Sequence, residues 1–229
     1  MNFKKTIPSW LILYWAALGL SEAQTEFSGA FAQAGVGYGV INRNGTQNVL
    51  AADHSTVLRT GTMGDIATFS GTLGVSYYWD LGSKWLLGLG LDFSPGTSSS
   101  AAFTLKATNG QASTSGTTQF NNGLILYLSP GYALSPEQFV YAKLGYARSN
   151  STTSTALLSK RNDLDGYSLG LGYKQAFSDH FYGFVEWRYV RFNTLTSTSS
   201  IQYANANLIV NASAQPSSNN ILLGIGYRF

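Results

Sequence analysis

The sequence predicts an all-β chain folded as an eight-stranded antiparallel up-and-down transmembrane β-barrel. Segments of about 9–14 residues alternate with period two, apolar on one face and small or polar on the other. Connections between them run long, short, long, short, long, short, long, the pattern of a barrel with long loops on one side and tight turns on the other. Aromatic residues gather toward both strand ends, where membrane interfaces would lie.

The first strand is expected over Ala30–Ile41, followed by a long connection from Asn42 to Asp65 that contains Asn44-Gly45. The second, Ile66–Trp79, sets Ala67, Phe69, Leu73, Val75, Tyr77 and Trp79 against Thr68, Ser70, Thr72, Gly74 and Ser76. After the short turn Asp80–Lys84, the third strand, Trp85–Ser94, opposes Leu87, Leu89, Leu91 and Phe93 to Gly88, Gly90 and Asp92. A Ser/Thr/Gly-rich stretch over Pro95–Thr118 precedes the fourth strand, Gln119–Leu134. There Phe120, Leu124, Leu126, Leu128, Tyr132 and Leu134 share the apolar face. Ser135-Pro-Glu-Gln138 reads as a tight turn, since proline pre-sets the backbone for turn entry.

The fifth strand, Phe139–Ala147, alternates Val140, Ala142, Leu144 and Tyr146 with Tyr141, Lys143 and Gly145. The third long connection runs from Arg148 to Asp163, and the sixth strand from Asp165 to Phe177. Past Ser178-Asp-His180, the seventh strand, Phe181–Phe192, sets Val185, Trp187 and Tyr189 against Glu186 and Arg188. The fourth long connection spans Asn193 to Asn219, and the eighth strand closes the chain on Ile221–Phe229. Weak alternation through Ile201–Val210 predicts that the last two strands project beyond the membrane. Closure is obligatory in lipid, where an open sheet edge would leave backbone groups unpaired.

Composition agrees. The chain has 229 residues, 44% hydrophobic and only 11% charged, with 25 Gly, 14 Tyr and 13 Phe. A mean hydropathy of −0.01 excludes a bundle of membrane helices, which needs runs of about 20 apolar residues. The absence of cysteine removes disulfides, thiolate metal sites and a cysteine nucleophile. At the N-terminus, Lys4 and Lys5 precede the apolar run Trp10–Leu20 and the small residues Ser21 and Ala23. Residues 1–23 therefore read as a secretory signal cleaved after Ala23, leaving 24–229 as a single barrel domain. The remaining net charge, about +2, makes no case for a nucleic-acid partner.

The stretches Gly131–Tyr146, Gly166–Tyr173, Phe184–Tyr189 and Gly226–Phe229 resemble the outer-membrane β-barrel domain superfamily, with its OmpA-type, opacity-type and porin-family barrels. The resemblance covers essentially all of the chain after residue 23 and implies the outer membrane of a Gram-negative bacterium. It also implies that Tyr227 and the terminal Phe229 form a signal read by the barrel assembly machinery. Such barrels serve as anchors, adhesins, small pores and enzymes, so the resemblance specifies fold and location more than function.

Alternation directs six charges into the lumen: Asp92, Lys143, Lys174, Glu186, Arg188 and Arg228. Counting up from the short turns sets Lys143 and Glu186 at one mid-barrel height, with Asp92 and Arg188 higher. Opposite charges in a narrow barrel should pair, because an unpaired buried charge costs several kcal/mol. They form either a plug or, as the resemblance to OmpA-type barrels implies, a Glu–Arg gate. Arg148 and Arg191 sit on outward faces at the long-loop rim, as snorkelling cations or contacts to lipopolysaccharide phosphates.

Asp53-His54-Ser55 holds three residue types of a nucleophilic triad, but adjacency in sequence is not triad geometry. His180 reads as a turn residue. The expectation is therefore a non-catalytic structural or surface-interaction protein with no cofactor and no metal site. Its expected partners are outer-membrane lipids, lipopolysaccharide, the assembly machinery and a ligand met by the long loops. A narrow channel for ions or small solutes is the alternative, and a lipid-modifying enzyme is the third reading.

Overall fold

The computed structural model describes residues 27–51, 57–60, 65–97, 101–107, 113–155, 159–203 and 206–229. The expected signal segment, residues 1–23, and the Asp53-His54-Ser55 stretch lie outside the described residues. The strands are β1 (Gly29–Ala51), β2 (Val57–Thr60), β3 (Ile66–Asp80), β4 (Trp85–Thr97), β5 (Ala101–Ala107) and β6 (Ser113–Ser135). They continue as β7 (Gln138–Thr155), β8 (Ser159–Ala176), β9 (Phe181–Phe192), β10 (Leu195–Tyr203) and β11 (Ala206–Arg228).

Eight of these form a closed antiparallel ring in the order β1, β3, β4, β6, β7, β8, β9, β11, with β11 pairing back onto β1. The closing ladder runs from Phe31↔Arg228 to Ala51↔Leu208. β2, β5 and β10 stand above the ring on the long-loop side, paired to β1, β6 and β11. Much of what sequence assigns to long connections is thus strand. Beyond the membrane these Ser- and Thr-rich segments satisfy their backbone groups against neighbouring strands.

The short turns are tight. Ser83 and Lys84 have φ of 52° and 69°, and Gly82 has 84°. Asp80 Oδ1 accepts from the Gly82 N–H at 2.8 Å, which holds this corner. Along β3 and β9, buried and exposed side chains alternate, and away from the strand ends the exposed ones are apolar and face lipid.

The apolar face of β6 has one exception. Phe120 does not join Leu124 on the lipid side but packs inward against Ile41 and Ile66. The register slips between Asn121 and Gly123, where Asn122 has φ 27°. One extra residue at a bulge reverses every side chain beyond it.

A second irregularity lies between β3 and β4. β3 and β4 pair only as far up as Leu73↔Phe93, although both strands continue.

Candidate functional site

The lumen is built in layers. Nearest the short turns is an aromatic cluster that includes Phe27, Phe31, Tyr78, Phe139, Tyr141 and Tyr182. Inward glycines on adjacent strands make room for it: a Cβ at Gly172 or Gly226 would overlap the Tyr141 or Tyr182 ring. Lys174 lies inside this cluster, 1% exposed. Its Nζ is 4.6–4.9 Å from the ring centres of Tyr78, Phe31 and Tyr182, and 5.3 Å from that of Tyr141. Among the described residues it forms no ion pair, and several ring faces surround its ammonium.

Above it four charges form a closed circuit. Lys143 Nζ lies 2.9 Å from Asp92 Oδ2 and 2.8 Å from Glu186 Oε2. Arg188 Nη2 lies 2.5 Å from Asp92 Oδ2 and 2.6 Å from Glu186 Oε1, and its Nε donates to Glu186 Oε1 at 2.8 Å. Each cation touches both carboxylates and each carboxylate both cations. Asp92 sits on β4, diametrically opposite β9, which carries Glu186 and Arg188 two residues apart on one face. Lys143 on β7 completes the circuit from midway around the ring.

Exposure is 0% for Glu186, 1% for Asp92, 5% for Arg188 and 6% for Lys143. The step in height expected from residue counting is closed by the long Lys143 and Arg188 side chains.

Neutral groups complete the layer. The Tyr141 hydroxyl donates to Glu186 Oε2 at 3.0 Å. Gln33 Nε2 donates to Asp92 Oδ1 at 3.4 Å, and the Tyr182 hydroxyl donates to Gln33 Oε1 at 3.3 Å. The Tyr127 ring centre lies 4.1 Å from Lys143 Nζ. Satisfying the remaining lone pairs is what makes a buried ion cluster tolerable. Sequence reasoning set Tyr141 on the inward face but missed the aromatic plug as a unit. The available signal was aromatic residues on the non-lipid face beside each short turn. Above Arg188 and Leu222, on the long-loop side, the lumen opens into a cavity of about 200 Å³.

The other singled-out residues stand apart from this circuit. Arg228 is half-buried at the short-turn end, where its N–H donates to the His180 carbonyl at 2.7 Å. His180 stacks on Tyr227 with ring centres 5.4 Å apart. Tyr227 packs edge-on against Phe229 at 5.1 Å, and the Phe229 N–H donates to the Ala30 carbonyl at 3.0 Å. Arg191 is exposed and donates to Gln215 Oε1 at 2.9 Å.

Arg148 is exposed but already shared by two aspartates on β8, with Asp163 at 3.4 Å and Asp165 at 3.9 Å. Sequence reading did not foresee this pairing, because it depends on the β7–β8 register that sets Arg148 opposite Asp165.

A closed ring with a lipid-facing apolar band is matched at the level of sequence. The family model of the outer membrane protein beta-barrel domain covers residues 11–229. The chain belongs to this family. No curated protein matches it in sequence.

Among solved structures, it resembles the outer membrane protein OprG from Pseudomonas aeruginosa at 14% identity and a TM-score of 0.50, over 88% of this chain and 96% of that one. It resembles the outer membrane protease OmpT from Escherichia coli at 10% identity and a TM-score of 0.50, over 91% and 99%. It also aligns with the attachment invasion locus protein Ail of Yersinia pestis, solved with the heparin analogue sucrose octasulfate. That match has 13% identity and a TM-score of 0.43, over 86% and 99%. At such identities the likeness speaks to fold alone. The chain is an outer-membrane barrel.

Proposed function

We propose that this protein is a non-conducting, non-catalytic barrel that acts at the cell surface. The observation that carries the reading is the filled lumen. The Asp92–Lys143–Glu186–Arg188 circuit reaches across the barrel, and the Lys174 aromatic cluster packs beneath it. An ion would have to displace paired, desolvated charges to pass. The long-loop side carries the added strands β2, β5 and β10, a strand-built platform for an extracellular ligand. In this reading the long connections face outward, the turns face the periplasm, and residues 1–23 are the export signal.

Planar-bilayer recording of the refolded barrel tests it. Wild type and Glu186→Gln should both stay closed at moderate voltage. Discrete openings that become more frequent in Glu186→Gln would overturn the reading in favour of a gated narrow channel. That second reading has one observation behind it. Every charge in the circuit has two partners, so pairs can exchange without leaving a charge alone.

Two peripheral roles belong to the same proposal. Arg148 and Arg191 contact outer-leaflet phosphates, Arg191 more freely because Arg148 is engaged by Asp163 and Asp165. Tyr227 and Phe229 serve as the assembly signal. Phe229 is 76% exposed, so its loss removes little packing. Deleting it should nevertheless cut folded barrel in cells several-fold, read as heat-modifiable gel migration, while refolding of the purified chain in detergent is unaffected. Normal assembly in cells would refute the signal.

A further inference from the structure

One corner of the charge circuit faces away from it. Arg188 is held by Glu186, two residues earlier on the same inward face of β9, and by Asp92 across the barrel. Those contacts use Nε and Nη2, which share one edge of the planar guanidinium. Nη1, at the remaining corner, has no acceptor among the described residues. Nor is it sealed. Among the described residues, Thr72 Oγ1 is the one fully buried side-chain polar atom without a hydrogen-bond partner. Nη1 therefore borders open space, and the space that Arg188 lines is the cavity above the circuit.

The charges around that corner do not balance. Among the described residues the buried ones are Lys143, Lys174 and Arg188 against Asp92 and Glu186. The circuit is neutral by itself, and Lys174 beneath it adds a cation that forms no ion pair among the described residues. The lumen thus carries one positive charge in excess. In a low-dielectric interior that excess is felt over longer distances than in water.

The cavity offers an anion nothing to oppose it. No Asp or Glu is among the described residues that line it. Arg148, the other charged residue at its border, turns its guanidinium to Asp163 and Asp165. The neutral polar groups of the wall bond to their neighbours. Asn121 Nδ2 donates to Thr152 Oγ1 at 2.9 Å, the Ser149 hydroxyl to the Asn121 carbonyl at 2.9 Å, and Asn220 Nδ2 to Ser218 Oγ at 3.2 Å. Ile125, Val190 and Phe192 supply apolar sides next to the guanidinium.

We propose that this cavity binds a small, singly charged carboxylate with a compact apolar body. The carboxylate accepts from Arg188 Nη1, a charge-assisted hydrogen bond, and the body lies against Ile125, Val190 and Phe192. One negative charge cancels the excess in the lumen, whereas a second would be repelled by Asp92 and Glu186 below. The volume of about 200 Å³ suits a single ring bearing the carboxylate, since an apolar cavity of about 150 Å³ holds benzene. The site needs neither conduction nor a ligand on the long loops, so it stands or falls separately from the surface reading.

The test is ligand-observed ¹⁹F NMR on the barrel refolded in zwitterionic detergent micelles, with 4-fluorobenzoate as the probe and empty micelles as the blank. At neutral pH the probe is ionised. Wild type should bind it saturably, and should bind the neutral isostere 4-fluorobenzamide weaker by on the order of ten-fold, the worth of one charge-assisted hydrogen bond. Arg188→Lys keeps a cation for Asp92 and Glu186 but has a single nitrogen, which those carboxylates engage. It should weaken 4-fluorobenzoate binding by a similar factor and leave the benzamide unchanged. Val190→Phe fills the cavity from β9 without touching the circuit, and should abolish binding of both probes. Heat-modifiable migration identifies which variants are folded. Wild-type binding no greater than to empty micelles would overturn the proposal, as would equal binding of acid and amide. So would undiminished 4-fluorobenzoate binding by a folded variant. The comparison of acid with amide needs no variant, so the proposal remains open to refutation even if neither substitution folds.

Discussion

The two halves of the lumen differ in what fills them. The half nearest the short turns is packed with rings and paired charges behind a wall paired all the way round, with one register shift, between Ala133 and Ser135 beside a turn. The half nearest the long connections holds an open cavity behind a wall whose β3–β4 ladder has ended. The same alternating pattern builds both. What separates them is the bulge at Asn121–Gly123 and the Pro95-Gly96 pair, which interrupt register only in the upper half. Stability should therefore concentrate below, and tolerance to change above.

The strongest way to break this comparison is Arg188→Ala. It leaves Asp92 and Glu186 buried with Lys143 alone between them. The expected loss is about 3–5 kcal/mol, typical of removing one partner from a buried ion cluster. It would be read as a lower denaturant midpoint for the barrel in lipid vesicles. A loss below about 1 kcal/mol would mean that water enters the circuit and that the lower half is not sealed.

Lys174→Met tests the layer beneath. Methionine keeps length and apolar bulk while removing an ammonium that is ringed by aromatic faces and forms no ion pair among the described residues. Stability should rise by about 1 kcal/mol, because the cost of burying an unpaired charge exceeds what ring faces return. A fall of that size would show that the aromatic cage holds the cation more tightly than water does.

The smallest effect is expected in the upper half. Arg148→Ala removes its pairings with Asp163 and Asp165, made between side chains 44–58% exposed. Screening by solvent limits such pairs, so the midpoint should move by less than about 0.5 kcal/mol. A larger change would place real stability at the rim and erase the contrast between halves.

Much of this was legible in the residues alone. Period-two patterning in segments such as Trp85–Phe93 and Phe181–Phe192 fixes which side chains face lipid, because a strand has only two faces. It also directs Asp92, Lys143, Glu186 and Arg188 inward without any knowledge of their neighbours. Loop lengths order the strands, since consecutive antiparallel strands joined by short turns must be adjacent.

Only the closed structure decides which charges meet. Asp92 and Arg188 are 96 residues apart and on opposite walls. Their contact depends on the tilt and stagger with which eight strands close. The inversion of Phe120 and the end of the β3–β4 ladder belong to the same class. Both follow from register between paired strands. A local alternation pattern continues unchanged through the residues where that register slips.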